Sequence, residues 1–183
     1  YCIPADEKDA RRGEWRKGPG AELFKGYENR RIVAEDLGVV TDEVRAAVYE
    51  TGYPGMKILQ HAFDGSRDNE HRPTNYAENI VAYTGTHDNE TLMSRLSAMS
   101  SEEYEKLLFV LEEECAAAGF TVRGKTKKSV CDAILKLLYL SRANTVIFPL
   151  QDALKLGDEA RINMPSVVSP DNWSYRFTET DFS

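Results

Sequence analysis

The stretch "NIVAYTGTHDNETL", residues 79 to 92, joins an apolar run to a dense cluster of hydrogen-bonding side chains. The run "NIVAYT" is short and apolar with turn-forming residues on both sides, which predicts a buried strand. The cluster that follows contains His87, Asp88 and Asn89. Buried polar groups need hydrogen-bond partners, so such a cluster requires solvent or a ligand. The stretch therefore predicts a strand whose carboxyl end opens into a cleft.

Three other apolar runs are strand candidates, and amphipathic helical patterns lie between the runs. The strand candidates are "RIVAEDLG" (31–38), "MKILQHAF" (56–63) and "NTVIFPLQD" (144–152). The helical patterns are "TDEVRAAVYETG" (41–52), "SEEYEKLLFVLEEECAAAG" (101–119) and "KKSVCDAILKLLYLSRA" (127–143). Alternation of this kind predicts an α/β fold with parallel strands and outer helices. Four such units make half of a (β/α)8 (TIM) barrel, which usually needs about 250 residues.

The chain reads as one region, 1–183, with no internal repeat. Residues 1–29 are rich in Gly, Pro and charge and predict a loop-rich lead-in. Residues 30–160 hold the four βα-type units, and residues 161–183 form a tail of turns. Half a barrel cannot close by itself, so either other polypeptide supplies the remaining strands or the sheet is open.

Composition is that of a globular domain, with 42% apolar and 29% charged residues. The net charge of -7 makes nucleic acid and anionic membranes poor candidates as partners. The three cysteines form no C-x-x-C pair and predict free thiols in a reducing compartment such as the cytoplasm. The three histidines lack metal-ligand spacing, so we expect neither a metal nor a cofactor.

Each predicted strand ends in acidic, amide or imidazole side chains. These are Glu35 and Asp36; His61 and Asp64; His87, Asp88 and Asn89; and Gln151 and Asp152. A single residue of this kind is ordinarily a helix cap or a solvated loop charge, but four adjacent strand ends predict an acidic cleft. Two carboxyl groups, one protonated and one ionised, are the equipment for glycosidic bond cleavage. Spacing alone suggests Glu35 and Asp88 as that pair, with Asp88 as nucleophile.

Aromatic side chains in the loops provide flat faces on which sugar rings stack. Trp15, Tyr83 and Trp173 are the candidates, although each also suits ordinary core packing.

Five ordered segments resemble one known family. They are "IVAEDLGVVTDEV", "GYPGMKILQHAFDG", "YTGTHDNETL", "PLQDALKLGDEARINMP" and "NWSYR", with "GEWRKGPGAELF" near the start. Together they are similar to the signatures of the amylomaltases, the 4-α-glucanotransferases of glycoside hydrolase family 77. Two departures occur: "MSRL" stands where the family has a small residue and a Trp, and Pro165-Ser166 where it has Pro-Gly.

The resemblance implies roles for individual residues. Glu35 of "EDLG" would be the general acid/base, and Asp88 of "THDN" the carboxylate that stabilises the transition state rather than the nucleophile. His87 and Asn163 would bind substrate. The family nucleophile is an Asp in an R-x-D-H motif after the fourth barrel strand, and that motif does not occur in these 183 residues.

The implied reaction transfers part of an α-1,4-glucan to the 4-OH of another sugar, in starch, glycogen and maltodextrin metabolism. The predicted strands would be strands five to eight of the barrel, and the expected partners are α-1,4-glucans, maltooligosaccharides, glucose and the N-terminal half of the same enzyme. Alone, this chain would be inactive.

Two other readings stay open. A metal-dependent hydrolase on a β/α barrel would also place Asp, Glu and His at strand ends, although no paired metal motif supports it. A glucan-binding remnant of a barrel without catalysis would suit a chain that lacks the nucleophile.

Overall fold

The computed structural model of the chain describes residues 1–38 and 40–182. The chain divides into two compact units, Tyr1–Pro54 and Gly55–Ser183, and each is described by itself. No helix within the described ranges is both long and apolar enough to cross a membrane.

Unit 1 contains helix α1 (Asp42–Thr51) and two short 3-10 helices, Ala10–Arg12 and Gly20–Phe24. The α1 prediction is confirmed at both ends. Thr41 caps the helix, because its hydroxyl accepts a hydrogen bond from the Val44 N–H. Gly52 ends it at φ 69°, a left-handed conformation that glycine adopts without steric cost.

The strand predicted at 31–38 is wrong in this structure, which assigns no strand to that segment. The apolar run there is only three residues long, Ile32 to Ala34, and carboxylates follow directly. The Ala34 N–H does donate to the carbonyl oxygen of Pro54 at 2.8 Å. An apolar pattern indicates burial but does not by itself supply the neighbour that a strand requires.

Unit 2 is built on a parallel three-stranded sheet in the order β1-β2-β3, which confirms three predicted strands and their parallel direction. The strands are β1 (Gly55–Ile58), β2 (Ile80–Tyr83) and β3 (Thr145–Ile147). Since β2 is central and mostly buried, its carboxyl end lies at the middle of the sheet edge, where parallel α/β folds bind ligands.

The described part of unit 2, residues 55–182, contains four α-helices: α2 (Leu92–Ala98), α3 (Ser101–Ala117), α4 (Lys127–Tyr139) and α5 (Leu150–Leu154). Both long helices were predicted, whereas α2 was missed, and α5 begins within residues 144–152, which were predicted as a strand. Ser100 and Glu103 form a reciprocal capping box at the start of α3. Side chains of α2, α3 and α4 make one buried core that includes Leu96, Leu107, Leu111, Ile134 and Leu137.

A buried ion pair ties the β1–β2 loop to α3. Arg72 Nε donates to Glu114 Oε1 at 2.7 Å, and both side chains are almost fully buried. The Thr74 N–H donates to Glu114 Oε2 at 2.9 Å. The loop that follows β1 is therefore fixed to the helix layer by hydrogen bonds as well as by apolar contact.

Candidate functional site

The carboxyl ends of β1 and β2 remain joined beyond the strands themselves. The Gln60 N–H donates to the Thr84 carbonyl at 3.1 Å, and Gln60 Nε2 donates to the Glu90 carbonyl at 3.1 Å. A Cβ atom on Gly85 would lie 2.7 Å from Gln60 Nε2. Glycine at 85 is thus what allows the chain leaving β2 to pass this close to the buried Gln60 side chain.

A tight turn then presents His87 and Asp88 to solvent. Asn89 Oδ1 accepts from the Thr86 N–H at 2.8 Å and from the Thr86 hydroxyl at 3.0 Å. The Asn89 N–H donates back to the Thr86 carbonyl at 3.1 Å. The side chains of His87 and Asp88 between them are 49% and 52% exposed, so Asn89 shapes the turn while its neighbours stay accessible.

The structure brings three predicted site residues together. Asn163 Nδ2 donates to Asp88 Oδ1 at 2.7 Å, and His87 Nε2 lies 3.4 Å from the same oxygen. Arg161 secures both segments, since its Nη2 donates to the Asp88 carbonyl at 3.0 Å and its Nε to the Asn163 carbonyl at 2.9 Å. Sequence reasoning missed Arg161, although it stands two residues before Asn163 in "EARINMP".

Trp173 adds an aromatic wall to this cluster. Its ring centroid lies 4.9 Å from that of His87, with 44° between the two planes. Among the other aromatic candidates, Tyr83 is half-buried at the end of β2. Trp15 belongs to unit 1, where it packs edge-to-face on Tyr1 at 5.3 Å.

A polar cavity of about 250 Å³ lies beside Asp88. It is lined by Gln60, His61, Asp88, Asn89, Glu90, Arg95 and Arg161. His61 therefore shares a cavity with Asp88, as expected from its strand end. Asp64 does not line this cavity, and its Oδ1 instead accepts from the Ser66 N–H at 2.8 Å.

The polar residues after β3 are buried and form hydrogen bonds inside unit 2. Asp152 is 1% exposed; it accepts from the Thr84 hydroxyl at 2.5 Å and from the Leu92 N–H at 2.7 Å. Burial raises the pKa of Asp152 above its ordinary value, and these two hydrogen bonds act in the opposite direction. Gln151 Nε2 donates to the Ala160 carbonyl at 3.2 Å. Both side chains thus join neighbouring segments by hydrogen bonds, and neither lines the cavity beside Asp88.

Glu35 lies in unit 1 and is exposed. It lines a largely apolar cavity there, whose wall includes Trp15, Phe24, Val33 and Val48. Asp36, the next residue, is half-buried.

Within residues 1–38 and 40–182, no group of three or more His, Cys, Asp or Glu side chains is placed to hold a metal ion. The described cysteines, Cys2, Cys115 and Cys131, are all free thiols.

Comparison with known proteins gives consistent matches over almost the whole chain. The family model described as 4-alpha-glucanotransferase matches residues 1–180. The 4-alpha-glucanotransferase of Clostridium butyricum is 42% identical over 190 residues, which is 100% of this chain and 36% of that protein. The chloroplastic/amyloplastic 4-alpha-glucanotransferase of Arabidopsis thaliana is 37% identical over 96% of this chain and 29% of its own length.

Among solved structures, amylomaltase from Streptococcus agalactiae in complex with acarbose matches with a TM-score of 0.79 and 29% identity. The match covers 98% of this chain and 35% of that one. Amylomaltase from Corynebacterium glutamicum, at 19% identity and a TM-score of 0.54, is similar in fold. The chain spans about a third of the length of the curated relatives it matches.

Proposed function

The chain belongs to the 4-alpha-glucanotransferase family, and from this premise we propose that it forms part of an enzyme that moves segments of α-1,4-glucans. The donor glucan would be cleaved with retention through a covalent glycosyl–enzyme intermediate. The segment would then pass to the 4-OH of an acceptor sugar such as glucose or a maltooligosaccharide. The observation that carries the proposal is the convergence of His87, Asp88 and Asn163 at the carboxyl end of β2, within a chain matched to the family almost end to end.

Each step of the proposed reaction has a proton donor, a proton acceptor and a leaving group. The nucleophilic Asp attacks the anomeric carbon while Glu35 gives its proton to the departing glycosidic oxygen. Glu35, now ionised, takes the proton of the acceptor 4-OH as that oxygen attacks the same carbon and releases the Asp carboxylate. Retaining enzymes need these two carboxyl groups about 5–5.5 Å apart.

Asp88 would act on the sugar rather than on the leaving group. Its carboxylate can accept hydrogen bonds from ring hydroxyls, and these strengthen as positive charge develops at the anomeric carbon. The amide of Asn163 holds one oxygen of Asp88 at 2.7 Å, which fixes the direction of the carboxylate. His87 and Asn163 would bind hydroxyls of the same or the neighbouring sugar.

We also propose that the chain is the C-terminal half of a (β/α)8 barrel, with β1, β2 and β3 as strands six to eight. The segment 32–34 would supply strand five once the barrel is complete, which the Ala34–Pro54 hydrogen bond supports. Residues 1–29 would be the lead-in, 30–160 the βα units and 161–183 the tail. The nucleophile and strands one to four would come from the N-terminal half of the same enzyme, in the cytoplasm.

The proposal is tested in the full-length enzyme with two donors, maltotriose and α-maltosyl fluoride. We expect Glu35→Gln and Asp88→Asn each to lower maltotriose disproportionation by about 10²–10⁴-fold. Fluoride leaves without a proton, so Glu35→Gln should still release fluoride in a burst while Asp88→Asn should not. Equal behaviour of both variants on the fluoride donor would contradict the two assigned roles.

A non-catalytic glucan-binding function is the second candidate for residues 1–183 alone, because they contain no R-x-D-H motif. The test measures maltotriose disproportionation by residues 1–183 alone and by the full-length protein. We expect turnover from the full-length protein and none from residues 1–183. Robust disproportionation by the separate chain would show that the nucleophile has been misassigned.

A further inference from the structure

Trp173 combines a large exposed side chain with a backbone conformation that bulky residues avoid. The residue is 58% exposed and its φ is 63°, in the left-handed region. Non-glycine residues adopt this region rarely, and those that do are usually Asn or Asp. In the described chain the other two non-glycine residues with positive φ are Lys155 and Ser166. Trp173 is thus the one aromatic residue among the three.

Local hydrogen bonds hold Trp173 in this conformation. Its N–H donates to the Ile162 carbonyl at 2.7 Å, and its own carbonyl accepts from Arg176 Nη1 at 3.3 Å. These are main-chain bonds that any residue could make, and glycine would make them without strain. The backbone at this position therefore gives no reason for a tryptophan.

The reason lies in where the indole is placed. The Trp173 N–H bonds to Ile162, which stands between Arg161 and Asn163, the two residues that contact Asp88. The ring itself lies against the His87 imidazole, 4.9 Å between centroids. The strained backbone thus brings a flat, exposed aromatic surface to the edge of the Asp88 cluster. Strain that is retained at such a place indicates function.

We propose that Trp173 is a substrate-binding residue on which a glucosyl ring of the glucan stacks, next to the sugar held by Asp88. This rests on the proposed function, since it takes an α-glucan as the ligand. The C–H face of a pyranose ring is apolar and flat, and it matches the face of an indole, while the sugar's hydroxyls remain free for Asn163 and His87. Contact with His87 would also keep that imidazole turned toward the substrate.

Two variants of the full-length enzyme separate the effect of the Trp173 ring on substrate binding from the effects of its backbone strain and of protein stability. Trp173→Gly removes the ring and relieves the backbone strain, whereas Trp173→Phe keeps an aromatic face. We expect Trp173→Gly to raise KM for maltotriose and weaken calorimetric binding of maltohexaose by about 10-fold or more. Its Tm should stay within about 2 °C of wild type or rise, and Trp173→Phe should keep KM within about 3-fold.

Ser166→Gly is the matched control, because Ser166 is exposed and has φ 62° in the same segment. It relieves strain without removing an aromatic ring, so its KM and maltohexaose affinity should equal those of wild type. Unchanged KM and binding in Trp173→Gly would overturn the proposal. A Tm loss of more than about 5 °C shared by Trp173→Gly and Trp173→Phe would instead make Trp173 a structural residue.

Failure of the proposed function would look different. If the wild-type enzyme binds maltohexaose but transfers nothing, weaker binding in Trp173→Gly still supports the stacking role, and equal binding still overturns it. If the wild-type enzyme does not bind maltohexaose at all, both proposals are wrong.

Discussion

The amide of Asn163 donates a hydrogen bond of 2.7 Å to the carboxylate of Asp88, joining residues 75 positions apart in the chain. Arg161 reinforces this link through the backbone, because its guanidinium reaches the carbonyl oxygens of both residues. A carboxylate on an exposed turn would otherwise sample several rotamers. The segment that follows α5 therefore sets the direction of the Asp88 side chain, and the chemistry proposed for Asp88 depends on that direction.

We predict that Asn163→Ala in the full-length enzyme lowers kcat for disproportionation by about 10–150-fold. The expected size follows from the loss of about 1.5–3 kcal/mol, the value of a hydrogen bond to a charged group. The measurement is kcat and KM with maltotriose, together with Tm. Since Asp88 is exposed, its stability contribution is small and Tm should change little.

Asn75→Ala is the control for Asn163→Ala. The Asn75 amide also donates two hydrogen bonds, to the carbonyls of Arg67 and Asn69, but it does so in the loop after β1. We expect Asn75→Ala to lower Tm and to leave kcat unchanged. If the two variants lose activity and stability in parallel, the orienting role of Asn163 is wrong.

Asp152 gives a prediction about stability and pH. Its pKa is raised above the ordinary value of 3.8 because the carboxyl is buried. The folded protein therefore keeps this proton to a higher pH than the unfolded chain does. Unfolding then releases a proton between the ordinary and the raised pKa, so the Asp152 contribution to stability falls as pH rises through that window. Asp152→Asn cannot lose a proton and still offers an oxygen to the Leu92 N–H.

We expect the free energy of unfolding of Asp152→Asn, relative to wild type, to increase from pH 4 toward neutral pH and then level off. Asp152→Ala should be destabilised at all pH values, by about 1–3 kcal/mol for each buried donor left without an acceptor.

Urea unfolding of the full-length protein between pH 4 and 8 measures the stability of both variants. Asp132→Asn, at an exposed carboxylate paired with Lys155, is the control and should change stability by less than about 1 kcal/mol. A pH-independent difference would contradict the raised pKa.

The sequence predicted the parts of the fold that rest on long, regular patterns. Helices α3 and α4 were found because apolar residues recur at helical spacing, and β2 because its run is apolar and bounded by turns. Helix α2 was missed since seven residues give little periodicity. The strand expected at 31–38 failed because three apolar residues do not specify a pairing partner. The parallel direction of the three formed strands was predicted from βα alternation.

Some residues of the candidate site could likewise be predicted from the sequence, and others could not. His87, Asp88 and Asn163 were identified through motifs, and the structure shows that their side chains meet. The structural use of Asn89 and Asp152 could not be derived from sequence, because it depends on contacts as distant as that of Thr84 with Asp152. Arg161 was missed for the same reason, since its partners are backbone carbonyls and leave no trace in side-chain type.

Ser166 offers a stabilising substitution. Its φ of 62° is a left-handed conformation at an exposed position. We predict that Ser166→Gly raises the free energy of unfolding by about 0.5–1 kcal/mol, because glycine removes the Cβ clash. Calorimetric Tm of the full-length protein measures it. Ser97→Gly, at an exposed site inside α2, should lower stability by a similar amount, and equal effects of both substitutions would contradict the strain at Ser166.

Arg72 and Glu114 form a buried ion pair, in which the side chains are 5% and 1% exposed. Arg72→Met leaves a carboxylate in the interior without its cation and should cost about 3–5 kcal/mol of unfolding free energy. The double variant Arg72→Met/Glu114→Leu removes both charges and should lose much less than the sum of the single losses. Arg67→Met removes an exposed partner of Glu113, 82% accessible, and should cost less than about 1 kcal/mol. Urea unfolding of the full-length protein measures all four variants: Arg72→Met, Glu114→Leu, the double variant and Arg67→Met. Additive losses in the double variant would mean that Arg72 and Glu114 stabilise the β1–β2 loop independently, and the ion pair would then not be what fastens that loop to α3.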